Sequence, residues 1–190
     1  SAGYHVTDPY SSLPSYFGQN SGLLIFSLFP ITAEQSYVFN SSSISEYPNN
    51  KGVITADIEI NEEQTITICT SHLDAHRIST SRESQVKQIK DSLEAQYNSG
   101  NAIMCMGDLN ICPRCSPSEY KLLADTFGTL DLHDIVPHET KTHKYGATLD
   151  HLFISPHWEV EQISAEFWEH EDFGMLSDHY GIHATLALNK

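Results

Sequence analysis

Positive charge is scarce in this chain: 10 lysines and arginines stand against 25 aspartates and glutamates, a formal net charge of −15 over 190 residues. Such a surface repels a polyanion, so tight sequence-independent binding to duplex nucleic acid is disfavoured unless the few cations cluster. No apolar run approaches the length of a membrane span. The start Ser1-Ala2-Gly3 has neither an initiator Met nor a signal-peptide pattern, and reads as a processed or trimmed end. Cysteine is sparse too, with four in all. Cys69 and Cys105 fall in runs expected to be buried strands and read as small core residues. Cys112 and Cys115 form a lone Cys-Pro-Arg-Cys. A structural zinc site needs a second such pair, which leaves an inert or reversibly oxidised loop. What is present is 39 % apolar and 10 % aromatic residues, enough for one folded domain over residues 1–190.

The apolar pattern divides this domain into strands and two helices. Residues 23–29 are a continuous apolar run ending at Pro30, read as a strand buried on both faces. Ile54, Ala56, Ile58 and Ile60 alternate with polar residues, as do Ile66 and Ile68, the two-residue period of half-buried strands. Between these segments, residues 40–51 are rich in Ser and Asn and read as a surface loop. Thr80 and Glu83 fit a capping box, and Val86, Ile89, Leu93 and Tyr97 recur at helical spacing until Asn98-Ser99-Gly100. Residues 102–106 form a short buried strand, so 65–106 reads as a parallel strand–helix–strand crossover. A second capping box, Ser116-Pro117-Ser118-Glu119, opens a helix whose buried face is Tyr120, Leu123, Ala124 and Phe127. Residues 149–154, 158–163 and 182–188 read as further strands.

Polar motifs sit where these strands end. Ser71-His72-Leu73-Asp74-Ala75-His76 and Gly107-Asp108-Leu109-Asn110 follow strands, whereas Ser177-Asp178-His179 precedes the last one. Convergence therefore needs the last strand to run the other way, in a mixed sheet. A carboxylate, an amide and two imidazoles at strand ends suit metal-assisted attack of water on a phosphate ester. Taken alone, Asp108 and Asn110 are equally ordinary turn residues, and His179 beside Asp178 could simply flank a strand. Asp150 offers a third group able to fix the tautomer of an imidazole. The other histidines, His143 and His151 among them, read as surface or strand-flank residues.

Five pieces in order resemble the endonuclease/exonuclease/phosphatase superfamily: Ser21-Gly22-Leu23-Leu24-Ile25-Phe26-Ser27 with Phe29-Pro30-Ile31, His72-Leu73-Asp74-Ala75, Gly107-Asp108-Leu109-Asn110, Leu149-Asp150-His151-Leu152-Phe153, and Ser177-Asp178-His179-Tyr180. The resemblance implies an α/β four-layer sandwich of two mixed sheets flanked by helices, with the site at one end. It implies a phosphodiester hydrolase using Mg²⁺, or Mn²⁺ in its place. By resemblance, Asp108 orients or deprotonates the attacking water and Asn110 hydrogen-bonds the phosphate. His179 contacts the scissile phosphate, Asp150 orients His179, and Asp178 holds the metal. His72 is a phosphate contact or an acid for the leaving group.

Departures from the pattern matter as well. The family's early Asn and its Gln-Glu pair, whose Glu is a principal metal ligand, have no counterpart: no Glu occurs before Glu34, and the only earlier acid is Asp8. The first strands are thus expected to be missing, making an N-terminally incomplete domain whose absent segment is an expected partner. Gly181 stands where Pro is usual and His151 where Tyr is common. Ser118-Glu119-Tyr120 and the closing run through Ala184-Thr185-Leu186 look like bacterial neutral sphingomyelinases. With the acidic charge, this favours a lipid-headgroup or small phosphodiester over nucleic acid, and the aromatic loop of Tyr10, Tyr16 and Phe17 could give peripheral membrane contact. The alternatives are a nuclease of the same chemistry and a catalytically silent binding module. Arg77, Arg82, Lys87, Lys141 and Lys144 gathered at the His72 mouth would mark the nuclease, and a hydrophobic rim the lipid enzyme. An Asp178 without a carboxylate neighbour would mark the silent module. The sequence leaves open whether the chain is secreted or cytoplasmic.

Overall fold

A computed structural model describes residues 3–7, 22–43, 49–76, 80–172 and 174–189. In chain order its elements are β1 (His5–Val6), β2 (Phe26–Ser27), β3 (Ile31–Val38), β4 (Gly52–Asn61), β5 (Gln64–His72), α1 (Thr80–Asn98), β6 (Ala102–Asp108), α2 (Pro117–Gly128), β7 (His133–Asp134), β8 (Asp150–Ile154), β9 (Trp158–Glu166), β10 (Glu169–His170), β11 (Gly174–Met175) and β12 (Gly181–Leu188). Tyr10, Tyr16, Phe17, Asp8 and Arg77 lie outside the described residues.

Six strands form one mixed sheet in the order β3-β4-β5-β6-β8-β7. Its parallel pair is β5–β6, joined through α1 as the hydrophobic spacing predicts, and the other neighbours are antiparallel. Strand alternation divides the core. On one face, Val86, Ile89 and Leu93 of α1 and Leu123 and Phe127 of α2 pack against Cys69, Ile103, Cys105 and Phe153. Cys69 and Cys105 are opposite one another across β5 and β6, free and buried, as core residues. Each fully buried Leu or Ile here contributes roughly 1.5–3 kcal/mol.

The opposite face carries a second sheet. β9 and β12 pair antiparallel, and Trp158, Ile163, Ile182 and Leu186 cover Met104, Met106, Leu152 and Ile154. The architecture is an α/β sandwich in which helices, mixed sheet and second sheet are stacked. The last strand lies in that second sheet, not in the mixed one; the mixed sheet owes its antiparallel pairs to β3, β4, β7 and β8.

Two local expectations fail for identifiable reasons. Residues 23–29 are not a strand buried on both faces: only Phe26–Ser27 is in a strand, paired with β1. Ile25 points inward, and its N–H donates to Thr7 Oγ1. Leu24, Phe26 and Leu28 are 41 %, 62 % and 60 % exposed. An unbroken apolar run hides which face is inward; pairing with a short edge partner decides it. The capping box at Ser116 does not form either. Ser116 Oγ donates to the Cys112 carbonyl, and Glu119 is drawn instead to Arg82, whose Nε and Nη2 meet its two oxygens at 2.6 and 3.0 Å. A bidentate guanidinium outcompetes a backbone N–H for a carboxylate.

Candidate functional site

The site is built on strand register. His72 of β5 pairs with Asp108 of β6, and Asp108 pairs with Asp150 of β8, so three strands present three polar side chains at one level. Gly107 makes this row possible. Its φ is +143°, and a Cβ there would lie 1.9 Å from the Ser71 carbonyl oxygen, so only glycine lets β6 approach β5 so closely. Beyond Asp108 the chain turns through Asn110, held at φ 51°. Asp108 Oδ1 accepts the Asn110 N–H at 3.0 Å, and the Asn110 amide donates to the Leu73 carbonyl at 3.0 Å. Turn chemistry and site chemistry thus coincide in these residues.

His179 closes the row from the second sheet. Its Nδ1 donates to Asp150 Oδ2 at 2.7 Å, which leaves Nε2 facing Asp108 Oδ2 at 3.6 Å. On the other side His72 Nε2 lies 3.3 Å from the same oxygen. The structure therefore brings His72, Asp108, Asn110, Asp150 and His179 into one cluster. Asp178 stands beside them, half exposed, with Oδ2 3.5 Å from both His143 Nε2 and Lys144 Nζ.

The sequence reading gave His143 no site role and weighed Lys144 only as a cation of a nucleic-acid groove. A backbone staple brings them in: the Tyr180 N–H donates to the Thr142 carbonyl at 2.8 Å, and the Lys144 N–H to the Asp178 carbonyl at 2.9 Å. Buried Thr142 also accepts the N–H groups of Leu149 and Asp150 on its hydroxyl. The His143 ring then lies edge-on to His179, with centroids 4.9 Å apart. Only the adjacency of Thr-His-Lys to the Asp150 strand hinted at this. His151 also departs from the surface role expected of it. It is enclosed, with Nδ1 2.7 Å from Asp134 Oδ2 and Nε2 2.8 Å from the Ile111 carbonyl.

Electrostatics separate the two carboxyls of the row. Burial pushes Asp108 up, but the His72 hydrogen bond and charge, then His179, outweigh it and hold the carboxyl below the ordinary range. Burial also pushes Asp150 up; Thr142 opposes it, Asp108 adds to it, and the net direction is upward. Burial alone would lower His179, yet its hydrogen bond to Asp150 and the charges of Asp150, Asp108 and Asp178 carry it above the usual imidazole value. Two neighbouring carboxyls driven apart in this way are suited to different roles.

Among the described residues, two groups have ligand atoms within 4.8 Å of one another: Asp108, Asp150 and His179, and His143, Asp178 and His179. The first offers the hard oxygens that Mg²⁺ takes; the second offers two nitrogens and one oxygen, a set suited to Mn²⁺ or Zn²⁺. Asp74 is not a candidate ligand: it is buried and accepts from Ser43 and the His76 N–H. Arg82 is not at the mouth either. It is enclosed, donating to the Asp74 and His76 carbonyls and to Glu119, so it shapes the segment after His72 from behind.

An apolar edge abuts this cluster. The β10–β11 ladder runs straight into Ser177-Asp178-His179 and exposes Phe167, Trp168, Met175 and Leu176. Phe167 packs edge-on against Tyr180, and the Trp168 ring lies over Gly181. Of the cations weighed for a nucleic-acid groove, Lys87 pairs with Glu83 and Arg82 is buried, whereas Lys144 lies over the Tyr145 ring and beside Asp178. No helix among the described residues is long and apolar enough to cross a membrane. Cys112 and Cys115 are joined in a disulfide two residues beyond Asn110.

Comparison with known proteins agrees with this fold. The family model described as Endonuclease/Exonuclease/phosphatase family matches residues 2–179. No curated protein matches the chain in sequence. Similar solved structures include an endonuclease/exonuclease/phosphatase from Beutenbergia cavernae, with 16 % identity over 87 % of this chain and 47 % of that one and a TM-score of 0.67. Staphylococcus aureus beta toxin with bound magnesium ions shares 22 % identity over 90 % of this chain and 68 % of its own, with a TM-score of 0.66. Sphingomyelinase C from Streptomyces griseocarneus shares 18 % over 93 % and 70 %, also at 0.66. The chain thus spans about half the length of the first of these and about two thirds of the others.

Proposed function

Since the chain belongs to the endonuclease/exonuclease/phosphatase family, a hydrolytic one, we propose that its site hydrolyses a phosphodiester, and that the substrate is a lipid headgroup ester of sphingomyelin type. The observation that carries the chemistry is the carboxylate of Asp108 set between His72 and His179, with Asp150 fixing the His179 ring. Asp108, kept ionised, orients the attacking water and accepts its proton. His179, kept protonated by Asp150, donates from Nε2 to a phosphoryl oxygen as charge builds, with Asn110 fixed beside it. His72 Nε2–H serves the departing alkoxide. Asp178, with His143 beside it, would hold a Mg²⁺ or Mn²⁺ ion, which when bound supplies electrostatic stabilisation of the pentavalent phosphorus.

The lipid preference rests on the exposed Phe167, Trp168, Met175 and Leu176 beside the site and on the net charge of −15. Release of phosphocholine from sphingomyelin vesicles, assayed beside plasmid nicking at two salt concentrations, tests it. Nicking that outpaces release and falls steeply with salt would select the nuclease.

One observation favours a second reading, a binding module without turnover. The ligand group around Asp178 consists of imidazoles, with Lys144 close by, and includes no second carboxylate. Absence of hydrolysis with Mg²⁺ and with Mn²⁺, in a chain that still binds the vesicles, would establish it.

A further inference from the structure

Behind the Asp108–Asn110 turn lies a buried polar chain that the proposed chemistry does not use. His151 and Asp134 are both enclosed, with 0 % and 3 % of their side chains exposed. His151 Nδ1 meets Asp134 Oδ2 at 2.7 Å, and Nε2 meets the Ile111 carbonyl at 2.8 Å. A carbonyl oxygen only accepts, so Nε2 donates to Ile111 while Nδ1 is held against Asp134. The second oxygen of Asp134 takes the Val136 N–H at 3.1 Å, and Oδ2 also takes the Tyr120 hydroxyl at 3.1 Å. His138 Nε2 lies 2.9 Å from that hydroxyl oxygen. The chain of bonds thus runs from α2 and the edge strand β7, through β8, to the residue that follows Asn110.

That end point matters because of the backbone there. Asn110 holds a left-handed φ of 51°, which Asn tolerates better than other residues with a Cβ and which its surroundings here fix. Three tethers do so. The Asn110 amide is fixed to the Leu73 carbonyl, the Leu109 N–H to the Leu149 carbonyl, and the Ile111 carbonyl to His151. His151 is also the neighbour of Asp150 in β8 and lies opposite Gly107 in β6. One ring therefore links the strand that carries Asp150 to the turn that carries Asp108 and Asn110.

We infer that His151, backed by Asp134, is a positioning residue that clamps the Asp108–Asn110 turn through the Ile111 carbonyl. Its catalytic consequence rests on the proposed hydrolysis; the clamp itself does not. Without the clamp the turn relaxes and the Asp108 carboxylate loses its setting between His72 and His179. An apolar ring in its place would leave both the Ile111 carbonyl and the Asp134 carboxylate short of a buried partner.

The test compares the full chain with His151→Phe, His151→Gln and Asp134→Asn in two measurements: phosphocholine release from sphingomyelin vesicles, and amide hydrogen exchange resolved by residue. His151→Phe and Asp134→Asn should lower kcat by about tenfold to a hundredfold with KM changed little, because a misplaced turn affects the oriented water more than capture of substrate. The Asn110 N–H should exchange faster while Ile89 in α1 and Ile58 in β4 keep their protection. His151→Gln should recover part of both, since its amide can donate to one of the two acceptors. Unchanged exchange at Asn110, faster exchange of equal size at Ile89 and Ile58, or Gln no better than Phe would overturn the clamp. Should the unaltered chain release no product, the hydrolysis reading fails and the exchange data alone decide the clamp. Should His151→Phe fail to fold, the isosteric Asp134→Asn carries the comparison.

Discussion

Asp108 and Asp150 stand directly opposite one another across β6 and β8, yet their surroundings drive their carboxyls in opposite directions. The difference lies in what each faces. Asp108 has an imidazole on either side, whereas Asp150 has burial and the charge of Asp108 against a single imidazole and the Thr142 hydroxyl. In the proposed mechanism, proton acceptance falls to the first and orientation of His179 to the second.

On the proposed mechanism, exchanging Asp108 or His179 should cost turnover and not fold. Asp108→Asn and His179→Ala are each expected to lower phosphodiester hydrolysis by roughly two to four powers of ten, with melting temperatures close to the parent. Near-parental rates in either variant would remove that residue from the mechanism.

The ion should show the character of its ligands. EDTA is expected to abolish hydrolysis, and calorimetry should find Mn²⁺ bound more tightly than Mg²⁺, because His143 sets a nitrogen beside Asp178. Lys144→Gln should tighten both ions by removing the ammonium 3.5 Å from Asp178 Oδ2. Equal affinity for the two ions, insensitive to Lys144, would place the metal elsewhere.

Vesicle attachment should depend on the apolar ladder. Trp168→Ala with Leu176→Ser is expected to weaken sedimentation with sphingomyelin vesicles by about tenfold or more, given roughly 1.5–3 kcal/mol for burying a large apolar side chain. Hydrolysis of a soluble phosphodiester should stay within about twofold of the parent by the same reasoning, since these side chains only flank the site. An equal loss on both substrates would assign the ladder to the fold rather than to the membrane.

Acid stability should report on Asp74. Burial pushes this carboxyl up, but hydrogen bonds from the Ser43 and His76 N–H groups and the Ser43 hydroxyl, with the charge of Arg82, take it below its ordinary value. A depressed carboxyl stabilises the fold above its unfolded value, about 3.9, and that contribution is lost as pH falls through the folded value. Asp74→Asn should thus be less stable than the parent near neutrality, with the gap narrowing below about pH 4. Urea titrations at several pH values measure it, and a gap constant down to pH 2 would contradict the assignment.

Much of the fold could be read from periodicity. Ile66 and Ile68, then Val86, Ile89 and Leu93, specify the β5–α1–β6 crossover because each repeats at the period of its element. The strand-end motifs marked most of the candidate site for a related reason: Gly107 and Asn110 each carry a backbone demand visible in their residue type. The placement of His143 and Lys144 beside Asp178 was not legible, because a staple between Thr142 and Tyr180, far apart in the chain, brings them in. His151 was misjudged because enclosure depends on α2 and β7 closing over it, which no local pattern encodes. Ser116 and Glu119 formed a sound local motif, overruled by a guanidinium from another helix.

Gly107 has a consequence for how this sequence can vary. A hydrogen atom stands there where every other residue has carbon, and the nearest obstacle is main chain, which cannot rotate aside. No compensating side-chain change elsewhere restores the room, so the position is closed to drift, alanine included. The alignment of His72 with Asp108 is thereby inherited as a single unit: a lineage that loses this glycine loses the spacing of both residues at once.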